Sequence, residues 1–215
     1  MARKRPFWRA VARECRNSPA VFCYDLMNEP VAPAGTNWQT NWLGPAFAGK
    51  HFVQRIALER KSRERSDISA DWIQHLSKAI RKEDKRTLIT VGLVDWSLDR
   101  PGLSSGFIPE FVGRHMDFIS VHIYPKSGKV QDALDTLRGF AIGKPVVVEE
   151  TFPLHCSAAD LESFIKQSSE VSGWIGFYWG KTMEECRNSK EIGDQLTYQW
   201  LELFRRRRWE PQEPK

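Results

Sequence analysis

Two short apolar runs, each of strand length and each ending in carboxylates, constrain this chain more than anything else in it. Val21 to Pro30 reads Val-Phe-Cys-Tyr-Asp-Leu-Met-Asn-Glu-Pro, and Pro145 to Phe152 reads Pro-Val-Val-Val-Glu-Glu-Thr-Phe. A buried strand that stops at an acidic side chain is how parallel α/β folds place reactive groups, because the loops leaving the strands' carboxyl ends form the working face. Two such strands imply a pair of carboxyl groups at one end of one sheet.

The rest of the chain alternates in the same rhythm. Pro6 to Arg16 reads as a helix with Phe7, Trp8, Val11 and Ala12 on one face, stopped by Asn17-Ser18-Pro19. Val31 to Lys50 is a loop rich in proline and glycine whose Trp38 and Trp42 either line the working face beside Glu29 or, standing four apart, pack as a helical face. Phe52 to Ala79 reads as mostly helical, with Phe52, Ile56, Ile68, Trp72, Ile73, Leu76 and Ile80 at three- and four-residue spacing. Strand 88–92 ends in a loop holding Asp95 and Trp96, helix 107–112 follows, and Met116 to Tyr124 is the next strand with its exit. Helix 130–140, strand 146–150, helix 158–169, strand 173–179 and a closing helix 194–204 with Leu196, Trp200, Leu203 and Phe204 inward complete the series. Strand side chains alternate, which puts Glu29 and Asn28 on different sides, pairs His122 with Tyr124, and turns Glu149 and Glu150 opposite ways.

Glycoside hydrolysis commonly uses two carboxyl groups, one protonated to assist the leaving oxygen and one ionised to attack the anomeric carbon or activate water. Asn28-Glu29-Pro30, His122-Ile123-Tyr124, Glu150 and Trp179, each after its own apolar strand and in this order, resemble glycoside hydrolase family 5. Those are retaining (β/α)8-barrel enzymes acting on β-linked glucans, mannans and related glycans. The resemblance runs from about residue 7 to residue 204 and covers only the later part of the barrel. It implies an α/β fold of TIM-barrel type, incomplete, with strands four to eight and their helices. It casts Glu29 as acid/base and Glu150 as nucleophile, with Glu149 as the alternative. Asn28 then binds the sugar hydroxyl next to the reacting carbon, His122 and Tyr124 border the sugar, Trp179 floors its subsite, and Trp96, Trp38 and Trp42 lie alongside. A β-linked glycan is the expected partner, and no metal or organic cofactor is required. Five parallel strands leave two sheet edges, so three readings stay open: a fragment lacking an N-terminal half, self-association, or an open remnant that binds sugar without cleaving it.

The net charge of +5 does not point to a polyanion. Residues 1–5 carry +3 and residues 205–215 another +3, which leaves a nearly neutral body between two basic tails (1–6 and 205–215) around one domain at 7–204. A nucleic-acid groove is therefore not expected. No apolar run reaches membrane-spanning length, and the basic N-terminus has no apolar segment of the kind that signals export behind it. Localisation stays open, since the resembled family is often secreted. Cys15, Cys23, Cys156 and Cys186 show no metal-ligand spacing; Cys23 reads as a small hydrophobe, and a disulfide among the others is left open.

Overall fold

The computed structural model describes residues 4–33, 54–57, 60–100 and 103–207. Trp38, Trp42 and Phe52 lie outside the described residues. Five parallel strands stand side by side in chain order: β1 (Cys23–Asn28), β2 (Leu88–Val94), β3 (Ile119–His122), β4 (Val146–Thr151) and β5 (Val171–Gly176). The helices are α1 (Lys4–Cys15), α2 (Arg65–Ile80), α3 (Pro109–Val112), α4 (Val130–Arg138), α5 (Ala158–Gln167), α6 (Met183–Asn188) and α7 (Ile192–Arg207).

Alternation along the strands divides the sheet into two chemically different faces. Tyr24 and Leu26, then Ile89, Val91 and Leu93, then Ile119, Val121 and Ile123, then Val146 and Val148 join Trp72, Leu76, Leu134, Leu137, Leu161 and Phe164 of α2, α4 and α5 in one core. Each fully buried side chain of this kind contributes about 1.5–3 kcal/mol. The other, inner face carries Asp25, Thr90, Gly92, Ser120, His122 and Glu149. The architecture is thus an arc of the parallel (β/α) barrel type with helices on one side, and β1 and β5 are its edges among the described residues.

Several sequence expectations need correction. Ile56 is not helical: its amide bonds to the Val31 carbonyl at 3.1 Å, beside a parallel bridge between Val31 and Arg55. The helix starts only at Arg65, because Lys61 turns the chain with a left-handed φ of 55°. Phe7 and Leu196 are exposed rather than inward. Helix α1 begins at Lys4, so the tail boundary at residue 6 falls inside it, and Lys4 lies over the Trp72 ring at 5.4 Å. Strand β5 ends at Gly176, not at Trp179. Helix α6 was missed although Thr182 and Glu185 spell its capping box. All four cysteines are free thiols, and that of Cys23 is pushed up to about 12 by burial, then by Glu149 and Asp25. Among the described residues no helix is long and apolar enough to cross a membrane.

The turn into β2 is held by buried Asp84. Its carboxylate accepts from Thr87 Oγ1 at 2.6 Å, the Arg86 amide at 2.8 Å, the Tyr24 hydroxyl at 2.9 Å and the Thr87 amide at 3.1 Å. Burial alone would raise its pKa; these donors outweigh burial and hold it well below the ordinary carboxylate value. We expect Asp84→Ala to cost about 2–4 kcal/mol at neutral pH, since hydrogen bonds to a charged group are strong and their donors are left unsatisfied. A depressed carboxyl stabilises above its unfolded value, about 3.9, and the benefit disappears as pH falls through the folded value. Urea midpoints of variant and wild type should therefore differ at pH 7 and converge in acid.

Candidate active site

The two carboxylate-bearing strands share a device that alternation does not reveal. Between Asp25 and Asn28, β1 advances three residues while β2 advances two from Thr90 to Gly92. Between Val148 and Glu150, β4 advances two while β3 advances one from Val121 to His122. Each is a bulge of one extra residue, the kind of irregularity that re-aims a side chain beside an active site. In β4 it brings both glutamates to the inner face, contrary to the expectation that they face opposite ways. Glu149 accepts a short hydrogen bond from Ser120 Oγ, and Glu150 reaches His122, two residues further along β3.

Glu29 itself adopts a left-handed backbone, φ 46°, uncommon for a side chain other than glycine. Its amide bonds to the Gly92 carbonyl at 2.9 Å, and the chain after it is fixed by the Val31 amide on Gln54 O at 2.7 Å and the Ala32 amide on Ser105 O at 2.8 Å. The Arg65 guanidinium grips the Ala32 carbonyl at 2.8 and 3.1 Å. Strain of this order, about 1–3 kcal/mol, persists where surroundings over-determine it.

These supports bring four predicted residues together. His122 Nδ1 lies 3.2 Å from Glu29 Oε1 and 3.4 Å from Glu150 Oε2. Tyr124 Oη donates to Glu150 Oε1 at 2.5 Å, and Gln54 Nε2 donates to Glu29 Oε2 at 3.2 Å. Burial, then the bond to Glu150, raises the Tyr124 phenol well above its ordinary value, so it remains a donor. One oxygen of each glutamate and one His122 nitrogen lie within 4.8 Å of one another. These three groups are of the types that ligate a divalent cation, and Nδ1 lies at hydrogen-bonding distance from both carboxylates.

His122 is buried, and burial lowers its pKa; the hydrogen bond to Glu29 and the charges of Glu150, Glu29 and Glu149 outweigh that, and the net shift is upward. The stabilisation is fully present below the unfolded imidazole value, about 6.5, and is lost as pH rises through the higher folded value. The urea midpoint should therefore decline on the alkaline side of about pH 6.5, and this decline should vanish in His122→Gln. Behind the imidazole, Asp25 Oδ1 accepts from the Gly92 amide at 2.8 Å and the Met27 amide at 3.2 Å. Burial is the largest cause of the raised pKa of both Asp25 and Glu149.

Glu29, His122, Tyr124 and Trp96 line one cavity of about 370 Å³ together with Gln54, Asp95, Lys126 and His155. Asn28 is exposed at the end of β1 and makes no side-chain hydrogen bond among the described residues. Trp179 is fully exposed; the aromatic ring that meets Tyr124 is that of Phe177, centroids 6.5 Å apart and edge to face. Gln54, Lys126 and His155 escaped the sequence reading because they sit in irregular segments without periodicity. Phe177 carried a usable signal: it stands two residues nearer the strand than Trp179.

A model of the cellulase family, glycosyl hydrolase family 5, matches residues 2–177. Among solved structures, the chain is similar to the endo-1,4-β-mannanase from Rhizomucor miehei, with 17% identity and a TM-score of 0.60 over 94% of this chain and 60% of that one. It is also similar to the catalytic domain of an endoglucanase from Thermobifida fusca, with 16% identity and a TM-score of 0.54 over 85% of this chain and 52% of that one. An endo-1,4-β-mannanase from Eisenia fetida follows, at 14% identity and a TM-score of 0.52 over 88% of this chain and 55% of that one. The chain thus spans roughly half to three-fifths of these structures, and at such identity they speak for the fold alone. No curated protein sequence matches it. With the family model covering most of its length and the fold in agreement, the chain belongs to glycosyl hydrolase family 5.

Proposed function

We propose that this chain cleaves β-linked glycans with retention of anomeric configuration, Glu150 acting as nucleophile and Glu29 as acid/base. The observation that carries this reading is the approach of Glu29 and Glu150 oxygens to within 4.8 Å of one another. Retaining enzymes hold their carboxyl groups about 5–5.5 Å apart, whereas inverting enzymes leave about 6.5–9.5 Å for a water between them. The division of roles follows from the partners. Tyr124 donates to Glu150 and fixes the direction of the carboxylate that attacks, while Glu29 faces the amide of Gln54 and the imidazole of His122.

In the first step a Glu150 oxygen bonds to the anomeric carbon as the glycosidic bond breaks, and Glu29 gives its proton to the departing oxygen. In the second, Glu29 takes a proton from water, whose oxygen displaces Glu150 from the sugar. Asn28, exposed at the end of β1, is assigned the neighbouring hydroxyl, and the exposed rings of Phe177 and Trp179 offer faces on which sugars stack. The backbone we propose is a β-linked glucan or mannan, in keeping with the cellulase family to which the chain belongs.

The test is release of reducing sugar from both polymers by the purified chain, with Glu29→Ala and Glu150→Ala alongside. Release that is lost in both variants supports the proposal. The two edges that the sheet leaves open among the described residues favour a second reading, sugar binding without cleavage. A folded chain that retains glycan and releases nothing would establish that instead.

A further inference from the structure

Next to the catalytic cavity lies a smaller one of about 180 Å³, walled by Asp95, Arg100, Tyr124, Lys126, Lys129 and Asp132. The two adjoin each other along Asp95, Tyr124 and Lys126. The larger holds Glu29, and the smaller gathers three cations.

All three are exposed, and each is tied to the fold through its backbone or its side chain. Arg100 sits in a bridge with Leu103, closed by amide bonds of 3.0 and 3.2 Å, and its Nη2 donates to Thr136 Oγ1 of α4 at 3.1 Å. Lys126 bridges His155 and opens a turn that the Lys129 amide closes on the Lys126 carbonyl at 2.9 Å, with Gly128 at φ +68°. Such a turn holds the Cα atoms of its first and fourth residues within about 7 Å, and both lysines line the smaller cavity. Helix α4 starts at the next residue, Val130, and adds the positive end of its dipole. Among the described residues none of the three cations makes an ion pair closer than the 4 Å of a salt bridge; Asp95 feels Arg100 and Lys126 only at longer range. Asp95 and Asp132 offset two of the three charges, so the smaller cavity keeps a surplus of one positive charge, which an entering anion would neutralise.

We propose that this pocket binds an anionic substituent, a carboxylate or a sulfate ester, on the sugar next to the scissile bond, so that the substrate is an acidic β-glycan rather than a neutral one. This rests on the glycosidase reading above. An oxyanion there accepts from the Arg100 guanidinium and the two ammonium groups, and it orients the sugar chain past Tyr124 toward Glu29 and Glu150.

The experiment compares kcat/KM on carboxymethylated, sulfated and hydroxyethylated β-1,4-glucan, the last being the neutral control, for the wild type and Arg100→Gln/Lys129→Gln. The expected preference for the anionic polymers is about tenfold, equivalent to about 1.4 kcal/mol. It should fall toward unity in the double variant and with added salt. The better of the two anionic polymers identifies carboxylate or sulfate as the source. A neutral polymer cleaved as well as the charged ones, or a preference that the double variant leaves unchanged, overturns the proposal.

A second arm does not depend on turnover. Glucuronate and glucose are titrated into the Glu150→Gln chain and followed by NMR. Tighter binding of glucuronate, lost on adding the Arg100 and Lys129 changes, supports the pocket even if no polymer is cleaved. Equal binding of the two sugars overturns it, whatever the fate of the glycosidase reading.

Discussion

Glu150→Ala should lower kcat by a factor of about 10⁴ to 10⁶, the range seen when a nucleophile is removed from a covalent mechanism. The reason is local: Glu150 is the carboxylate that Tyr124 holds at 2.5 Å, and β4 has inserted an extra residue to aim it at the inner face. The cavity left by the side chain should let azide attack the same carbon from the same side. Activity on an aryl glycoside with a good leaving group should then partly return, with a glycosyl azide as product. Glu29→Ala should behave differently, losing about 10² to 10⁴ on natural glycans, where the leaving oxygen needs a proton, and much less on the aryl glycoside. Identical behaviour of the two variants on both substrates would contradict the division of roles.

Gly92→Ala is expected to be nearly as damaging without touching a reacting group. A Cβ at position 92 would lie 2.7 Å from His122 Nε2, 3.0 Å from its Cε1 and 3.3 Å from Asp25 Oδ2. The imidazole is buried and its other nitrogen is shared between Glu29 and Glu150, so the ring can relieve the clash only by disturbing both carboxylates. Misplacing a catalytic constellation by about 1 Å can cost about 10² in rate, and overpacking of this kind costs about 1–3 kcal/mol in stability. Gly173→Ala is the matched control, because a Cβ there meets only Val147 methyl groups at 3.6 Å, an ordinary contact. We expect kcat/KM to fall about a hundredfold in the first variant and to stay near wild type in the second. Wild-type activity in Gly92→Ala would show that the position of His122 between the carboxylates is irrelevant to turnover.

Much of this was legible in the sequence because burial and strand length write themselves into composition. The five apolar runs became the five strands, and Glu29, His122, Tyr124 and Glu150 met at one end of them. What failed to show was backbone irregularity. Alternation set Glu149 and Glu150 on opposite sides, and the bulge in β4 brought both inward; a single extra residue leaves no mark on hydrophobic period. The left-handed turn at Glu29 is equally silent, because tertiary bonds to Gly92, Gln54 and Ser105 impose it on a residue with no preference for it. Helical spacing carried the reading through Ile56, where pairing with the segment after Glu29 overrode it. The resemblance singles out Trp179; the strand itself ends at Gly176, and the ring that meets Tyr124 is that of Phe177.

If Glu29 and Glu150 act as a retaining pair, the anomer first formed must keep the configuration of the bond that is cleaved. Proton NMR of a β-linked oligosaccharide, recorded in the first minutes after the purified chain is added, separates the newly released α and β reducing ends before they equilibrate. We expect the β anomer to appear first and to decay toward the equilibrium mixture. An α anomer appearing first would mean single displacement by water, which a carboxylate pair this close should not permit, and would contradict the retaining assignment.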